Sequence, residues 1–265
     1  MTIIKYLIIS MFVLCLSHLV MAEEPVRLTN GEWPPYCSQT LKHYGLASRI
    51  VTEAFAVEGI TVEYGFYPWK RTLAYVEDGK WDGSPGWYYS EERAQYAYYS
   101  DPMLDYQNVI FHLKSTPFDW KAVEDLKGIP IGGTRGNVYG KEIEEAKKAG
   151  TLTIEWVTRD EQNFKKLLAG RVQLVLMDLH VGYFLLHTKF TPEERALITN
   201  HSKPTALAEP GYLILSKKVD RSQRLMDAFN RGLQRLKDSG KLAQYITESQ
   251  RGDYIPGSSE KNPQK

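Results

Sequence analysis

The chain has 265 residues, with 33 Lys and Arg against 32 Asp and Glu, and is 43% apolar, 25% charged and 12% aromatic. That balance describes a globular protein with room for two medium domains, and it excludes a disordered chain, a collagen-like repeat and a polytopic membrane protein. No surplus of positive charge exists to neutralise phosphates, so a strongly basic nucleic-acid binder is excluded too.

Residues 1–22 carry one charge, Lys5, then an apolar run over 6–20, then small residues at Val20 and Ala22. This is the pattern that signal peptidase reads, and cleavage after Ala22 is expected. The run is shorter than the roughly 20 residues that span a bilayer. Removing it leaves 243 residues with 32 charges of each sign and a lone cysteine, Cys37, so an intramolecular disulfide is impossible. Beside Pro35 and Tyr36, that thiol reads as a small packed hydrophobe.

The first strand is expected over 26–29. Asn30-Gly31-Glu32-Trp33-Pro34-Pro35-Tyr36 follows it, a loop stiffened by two prolines that presents Trp33 and Tyr36 either as a hydrophobic wall or as a core cover. A helix over 46–58 stops at Gly59, a strand covers 61–66, and a helix over 69–78 stops at Gly79. Glycine just past a helix accepts the left-handed conformation cheaply. In Ser84-Pro85-Gly86-Trp87-Tyr88-Tyr89-Ser90-Glu91-Glu92-Arg93, Ser90 and the two acids read as a helix cap and first turn. Arg93, one turn in, either forks onto a ligand carboxylate or pairs with Glu91 or Glu92 on the surface.

Strands follow over 109–113 and 129–132. Gly132-Gly133-Thr134-Arg135-Gly136-Asn137-Val138-Tyr139 then leads into a helix over 139–149, stopped by Gly150. Free backbone N–H groups at that helix start suit an anion, and a plain turn is the alternative. The loop lacks the Walker ending and the full dinucleotide glycine pattern, so nucleotide binding is not expected. A strand over 152–157, a helix over 160–169 stopped by Gly170, and a strand over 172–177 lead to Asp178. That carboxylate either accepts from a ligand ammonium or caps the next helix. His180 and His187 lie seven apart with no third ligand at a metal spacing, and no Ser-His-Asp order, HExxH or CxxC occurs. No metal, cofactor or catalytic residue is expected.

A strand over 212–216 and a long helix from Ser222 to Gly240 complete the pattern, and 251–265 reads as a tail. Alternation of strand and helix argues for α/β architecture with mostly parallel sheets. Leu73 and Val76 before Gly79 stand at the offsets of Phe164 and Leu167 before Gly170, which suggests two similar α/β lobes.

An ordered series of short motifs spans residues 26–250. Val26-Arg27-Leu28 leads to Trp33-Pro34-Pro35-Tyr36, then Pro68-Trp69, Gly79-Lys80-Trp81-Asp82, Ser90-Glu91-Glu92-Arg93 and Tyr99-Ser100-Asp101-Pro102. Asp125-Leu126-Lys127-Gly128 introduces the glycine loop, Ala169-Gly170-Arg171-Val172 precedes Asp178, and Gly211-Tyr212-Leu213-Ile214 precedes the last helix. In order and spacing the series resembles the family 3 bacterial solute-binding proteins, periplasmic receptors of polar amino-acid ABC importers.

The resemblance implies a type II, two-lobed periplasmic-binding-protein-like α/β fold. Its lobes would be 23–109 plus 207–250, and 110–206, joined by two crossovers around a ligand cleft. It implies a monomeric periplasmic receptor that captures a small, polar, carboxylate-bearing ligand and passes it to a membrane permease or sensor. It also assigns roles: Arg93 to a ligand α-carboxylate, helped by backbone N–H groups of Asn137 and Val138, and Asp178 to an α-ammonium. Trp33, Tyr36, Trp69, Trp87 and Tyr88 would line the cleft. Some proteins resembling this family dehydrate cyclic acids such as prephenate or arogenate; Glu32, Glu209 and Asp178 are the acids available for that alternative. The sequence departs from the pattern at Trp87, Tyr88 and Tyr89, where small polar residues are usual, at Asn137 and Val138, where threonines are, and at Asn30-Gly31, which lacks an acid.

Overall fold

The computed structural model describes residues 24–257, so the expected leader over 1–22 and the final residues of the tail lie outside them. In the first lobe β1 (Val26–Asn30), α1 (Leu46–Val57), β2 (Val62–Phe66), α2 (Trp69–Glu77) and β3 (Gly83–Trp87) alternate, followed by α3 (Glu91–Tyr96), β4 (Ala97–Tyr99) and β5 (Leu104–Tyr106). The chain enters the second lobe on β6 (Asn108–Leu113) and continues through β7 (Ile131–Thr134), α4 (Lys141–Lys148), β8 (Ile154–Val157), α5 (Glu161–Leu168) and β9 (Leu174–Asp178). There follow α6 (Leu179–Lys189), α7 (Pro192–Ala196) and β10 (Ile198–Asn200), before β11 (Glu209–Ser216) returns to the first lobe and α8 (Ser222–Asp238) and α9 (Lys241–Arg251) close it.

One sheet runs β2-β1-β3-β11-β4, with β5 also paired to β11; the other runs β10-β6-β9-β7-β8. In each, a first strand lies between the second and third in parallel, and a strand arriving from the other lobe runs antiparallel beside the third. Both lobes therefore repeat one topology, with the α2–Gly79–β3 and α5–Gly170–β9 segments in matching places. The sheets are mixed rather than mostly parallel. The reason is geometric: β1, β3, β7 and β9 run toward the interlobe cleft, whereas β6 and β11 begin there and must run away from it.

Apolar spacing explains the packing. Leu225, Phe229, Leu233 and Leu236 recur at helical intervals on α8 and are buried against Ile50, Ala54 and Phe55 of α1. Each such side chain contributes about 1.5–3 kcal/mol through removal from water. The two helices approach closely at Gly232, where an added Cβ would stand 1.9 Å from the Ala54 carbonyl oxygen. Asp82, buried at the start of β3, accepts from the Arg27 N–H at 2.7 Å and from Arg221 at 2.6 Å. Arg221 also donates to the Glu24 and Pro25 carbonyls at 2.8 Å, so one buried ion pair ties the starts of β1, β3 and α8. Packed structure continues past the boundary expected at 250, because Tyr254 is 3% exposed and donates to the Tyr245 carbonyl at 3.1 Å.

Gly232→Ala is expected to destabilise the protein by about 3 kcal/mol, the upper range of overpacking, because the opposing atoms are backbone and cannot turn away. Thermal unfolding should show Tm lowered by roughly 5–10 °C.

Candidate functional site

Between the lobes lies a cleft of about 660 Å³, a volume suited to a small molecule. Trp33, Pro34, Tyr88 and Tyr106 line it from the first lobe, and Asn137, Val138, Asp160, Glu161 and Asp178 from the second. Asn108, Ala206, Leu207 and Glu209 come from the crossovers, and Val181, Phe184 and Leu185 from α6. Trp33 follows β1, Tyr88 follows β3, Asn137 follows β7 and Asp160 follows β8, while Asp178 closes β9. Carboxyl ends of sheet strands are where ligands bind in α/β folds, and here two sets of them face each other.

The aromatic wall is held by its own backbone. Trp33 donates to the Cys37 carbonyl at 2.7 Å and Cys37 donates back at 3.0 Å, closing the loop on itself. The Pro35 and Tyr36 carbonyls accept from Leu46 and Ala47 at the start of α1. This contact demands glycine at position 45: φ there is +94°, and a Cβ would stand 2.6 Å from both carbonyl oxygens. Rings of Trp33, Tyr36 and Tyr106 then pack in tilted and edge-on contacts with centroids 4.7–4.8 Å apart, and Tyr88 adds a fourth edge-on ring 4.8 Å from Tyr106. Cys37 is buried behind them, and burial pushes its thiol up to about 12, consistent with a packing role.

Tyr36 is fully buried behind this wall, and its hydroxyl donates to both oxygens of Asp178 at 2.9 Å. That contact joins the first-lobe loop to the second lobe. Asp178 also caps α6, accepting from the Val181 N–H at 2.9 Å. Burial raises its carboxyl pKa above the ordinary range, opposed by these hydrogen bonds to the ionised form. Burial and the neighbouring Asp178 charge push Tyr36 well up, so it stays a neutral donor.

Arg93 sits in the first-lobe wall. Its guanidinium donates to the Tyr88 carbonyl and, at 3.1 Å, to the Tyr99 hydroxyl, and it lies 5.0 Å from the Trp87 ring centroid. It pairs with neither Glu91 nor Glu92 and is not among the residues lining the cleft. Trp69 and Trp87 form an edge-on pair 5.1 Å apart behind the wall; Trp69 covers Gly31, and Trp87 donates to Ser84 at 2.8 Å. These two brace Arg93 and the first loop instead of facing the cavity. Asn137 and Val138 do reach the cleft, on exposed backbone, with the Val138 carbonyl held by Asn108 at 3.2 Å. Glu32 is exposed and engages the Gln39 N–H at 2.8 Å, away from the cleft. The sequence pattern missed Tyr106, Asn108, Asp160 and Glu161; Asp160, just before α5, carried the only local signal. His187 meets the Gln250 carbonyl and Arg195, whereas His180 packs its ring on Tyr36, so the two do not share a site.

The profile of the bacterial extracellular solute-binding proteins, family 3, matches residues 27–248, and the chain belongs to that family. Comparison with curated protein sequences gave no match. Among solved structures, the second substrate binding domain of an amino acid ABC transporter from Streptococcus pneumoniae Canada MDR_19A is similar with a TM-score of 0.70 and 15% identity, over 88% of this chain and 100% of that one. Substrate binding domain 2 of Lactococcus lactis GlnP, in an open conformation, gives 0.66 and 18% over 88% and 95%. The Streptococcus pneumoniae amino acid ABC transporter substrate-binding protein AbpA bound to L-arginine gives 0.54 and 20% over 87% and 95%. At such identities the likeness is one of fold.

Between the ordinary carboxylate pKa and the raised value of Asp178, the folded protein keeps a proton that the unfolded chain has lost, so stability falls as pH rises through that window. Tyr36→Phe removes hydrogen bonds that favour the ionised form and widens the window. Its destabilisation is expected to grow from pH 4 to pH 7, reaching about 1–3 kcal/mol at neutrality. Melting curves across that range check this; a loss independent of pH would mean that Tyr36 does not support the carboxylate.

Proposed function

We propose that this chain is a non-catalytic receptor of the periplasm that captures a small, polar, amino-acid-like solute in the interlobe cleft and presents it to a membrane permease. The observation that carries the reading is the cleft itself, lined by strand-end residues of both lobes and floored by the crossovers between them. A solute touching both walls stabilises the closed arrangement in proportion to its extra contacts there. The family supports this reading, as does the likeness in fold to substrate-binding domains of amino acid transporters.

In this proposal 1–22 is a cleaved export signal, and the lobes 23–109 plus 207–250 and 110–206 close as rigid bodies in a monomer. Trp33 and Tyr88 form one wall of the binding site, Asn137 and Val138 offer backbone groups from the other, and Asp178 accepts from an ammonium. Tyr36 positions that carboxylate; Arg93, Trp69 and Trp87 hold Tyr88 and the first loop in place.

A thermal-shift screen against amino acids, amines, organic acids and prephenate-like cyclic acids tests the reading. A solute at 100 times its dissociation constant should add about 2.7 kcal/mol, a rise in Tm of several degrees. Recovery of that solute chemically unchanged supports a receptor, whereas a transformed solute would establish a dehydratase-like enzyme in its place.

A further inference from the structure

We propose that the cleft selects an organic cation, recognised through its ammonium groups and needing no carboxylate. This rests on the receptor reading and moves its ligand class from amino acid to amine. The charged side chains lining the cleft are Asp160, Glu161, Asp178 and Glu209, all acids. They reach it from separate places: the start of α5, the end of β9 and the returning crossover. Arg159 bridges Glu161 at 3.4 Å from an exposed position, but among the described residues no basic side chain bridges Asp160, Asp178 or Glu209. A carboxylate entering this space meets like charge from both its floor and its second-lobe wall.

Independent observations agree with that sign. The rings of Trp33 and Tyr88 line the first-lobe wall of the cleft, and aromatic π faces attract ammonium groups. The guanidinium that the family resemblance assigned to a carboxylate is turned into the first-lobe wall, bonded to the Tyr88 carbonyl and Tyr99 and stacked on Trp87. Arg93 thus supports an aromatic face for a cation instead of gripping an anion.

Titration calorimetry with matched pairs separates the possibilities: arginine against agmatine and lysine against cadaverine, which differ by the carboxylate alone, with glutamine and glutamate alongside. The decarboxylated member of a pair should bind at least roughly tenfold tighter, and rising salt should weaken it. Asp178→Asn and, separately, Glu209→Gln should each reduce that preference, the second serving if the first fails to fold. Arg93→Ala unseats Tyr88 and should weaken both members of a pair alike, whereas loss of the amino acid alone would show a guanidinium gripping a carboxylate and overturn the proposal. If the amino acids or glutamine bind as tightly as the amines or tighter, the cation proposal fails while the receptor reading stands. An amine bound but recovered altered would overturn the receptor reading and keep the selectivity. Binding by no member of the panel would overturn both.

Discussion

Everything in this molecule that concerns a ligand depends on two chain segments crossing between lobes side by side. Residues 104–106 pair antiparallel with 209–211, and the Thr205 N–H meets the Asn108 carbonyl at 2.9 Å. Gly211 permits the approach, since a Cβ there would press to 2.7 Å on the Tyr106 ring. With the crossovers bonded to each other, the lobes share a floor but keep separate cores, one on each face of either sheet. A cleft above that floor follows from connectivity, and so does its orientation toward the strand ends. It also explains why β6 and β11 run against their neighbours.

The most consequential contact above the floor is the hydroxyl of Tyr36 on Asp178. A buried carboxylate is costly unless hydrogen-bonded, and here the first turn of α6 and a first-lobe tyrosine share the task. The sequence offered capping and ligand contact as alternatives for this residue, but they are compatible. Oδ1 carries the cap, and both oxygens accept from the tyrosine hydroxyl. Capping and the tyrosine together hold the carboxylate at the wall of the cleft, which it lines.

Elements with a strong local signal were legible in the sequence. Helices closed by Gly59, Gly79, Gly150 and Gly170 appear within a residue or two of their expected ends, because a positive φ at each glycine terminates the turn. β3 was missed because Gly-Ser-Pro-Gly-Trp is poor strand sequence. It survives with Pro85 in place since β1 pairs with it only at Gly83 and β11 shifts register opposite it. For α6 the sequence offered a cap at Asp178 but no bounds, because Leu-His-Val-Gly-Tyr-Phe-Leu-Leu is apolar almost all round, wedged between the second-lobe core and the first, so no single face stands out. The candidate site was legible only in part: Trp33, Asn137, Val138 and Asp178 adjoin recognisable strand ends, and Tyr88 stands just before the Ser90 helix cap. Tyr106 and Glu209 become neighbours through crossover pairing, which no local pattern encodes.

Charge shows the same limit of local reading and carries a physical consequence. A chain with nearly equal numbers of acids and bases has no net field to steer a ligand, yet its acids need not be spread evenly. Asp160, Asp178 and Glu209 belong to three separate segments of the sequence; folding brings them to one cavity while Arg27, Arg49 and Arg221 are used in packing around the first sheet. Arg93 completes that segregation, since its hydrogen bonds lie within the wall. The cleft's sign is therefore a property of the tertiary structure, set by where the basic residues are held as much as by where the acids stand.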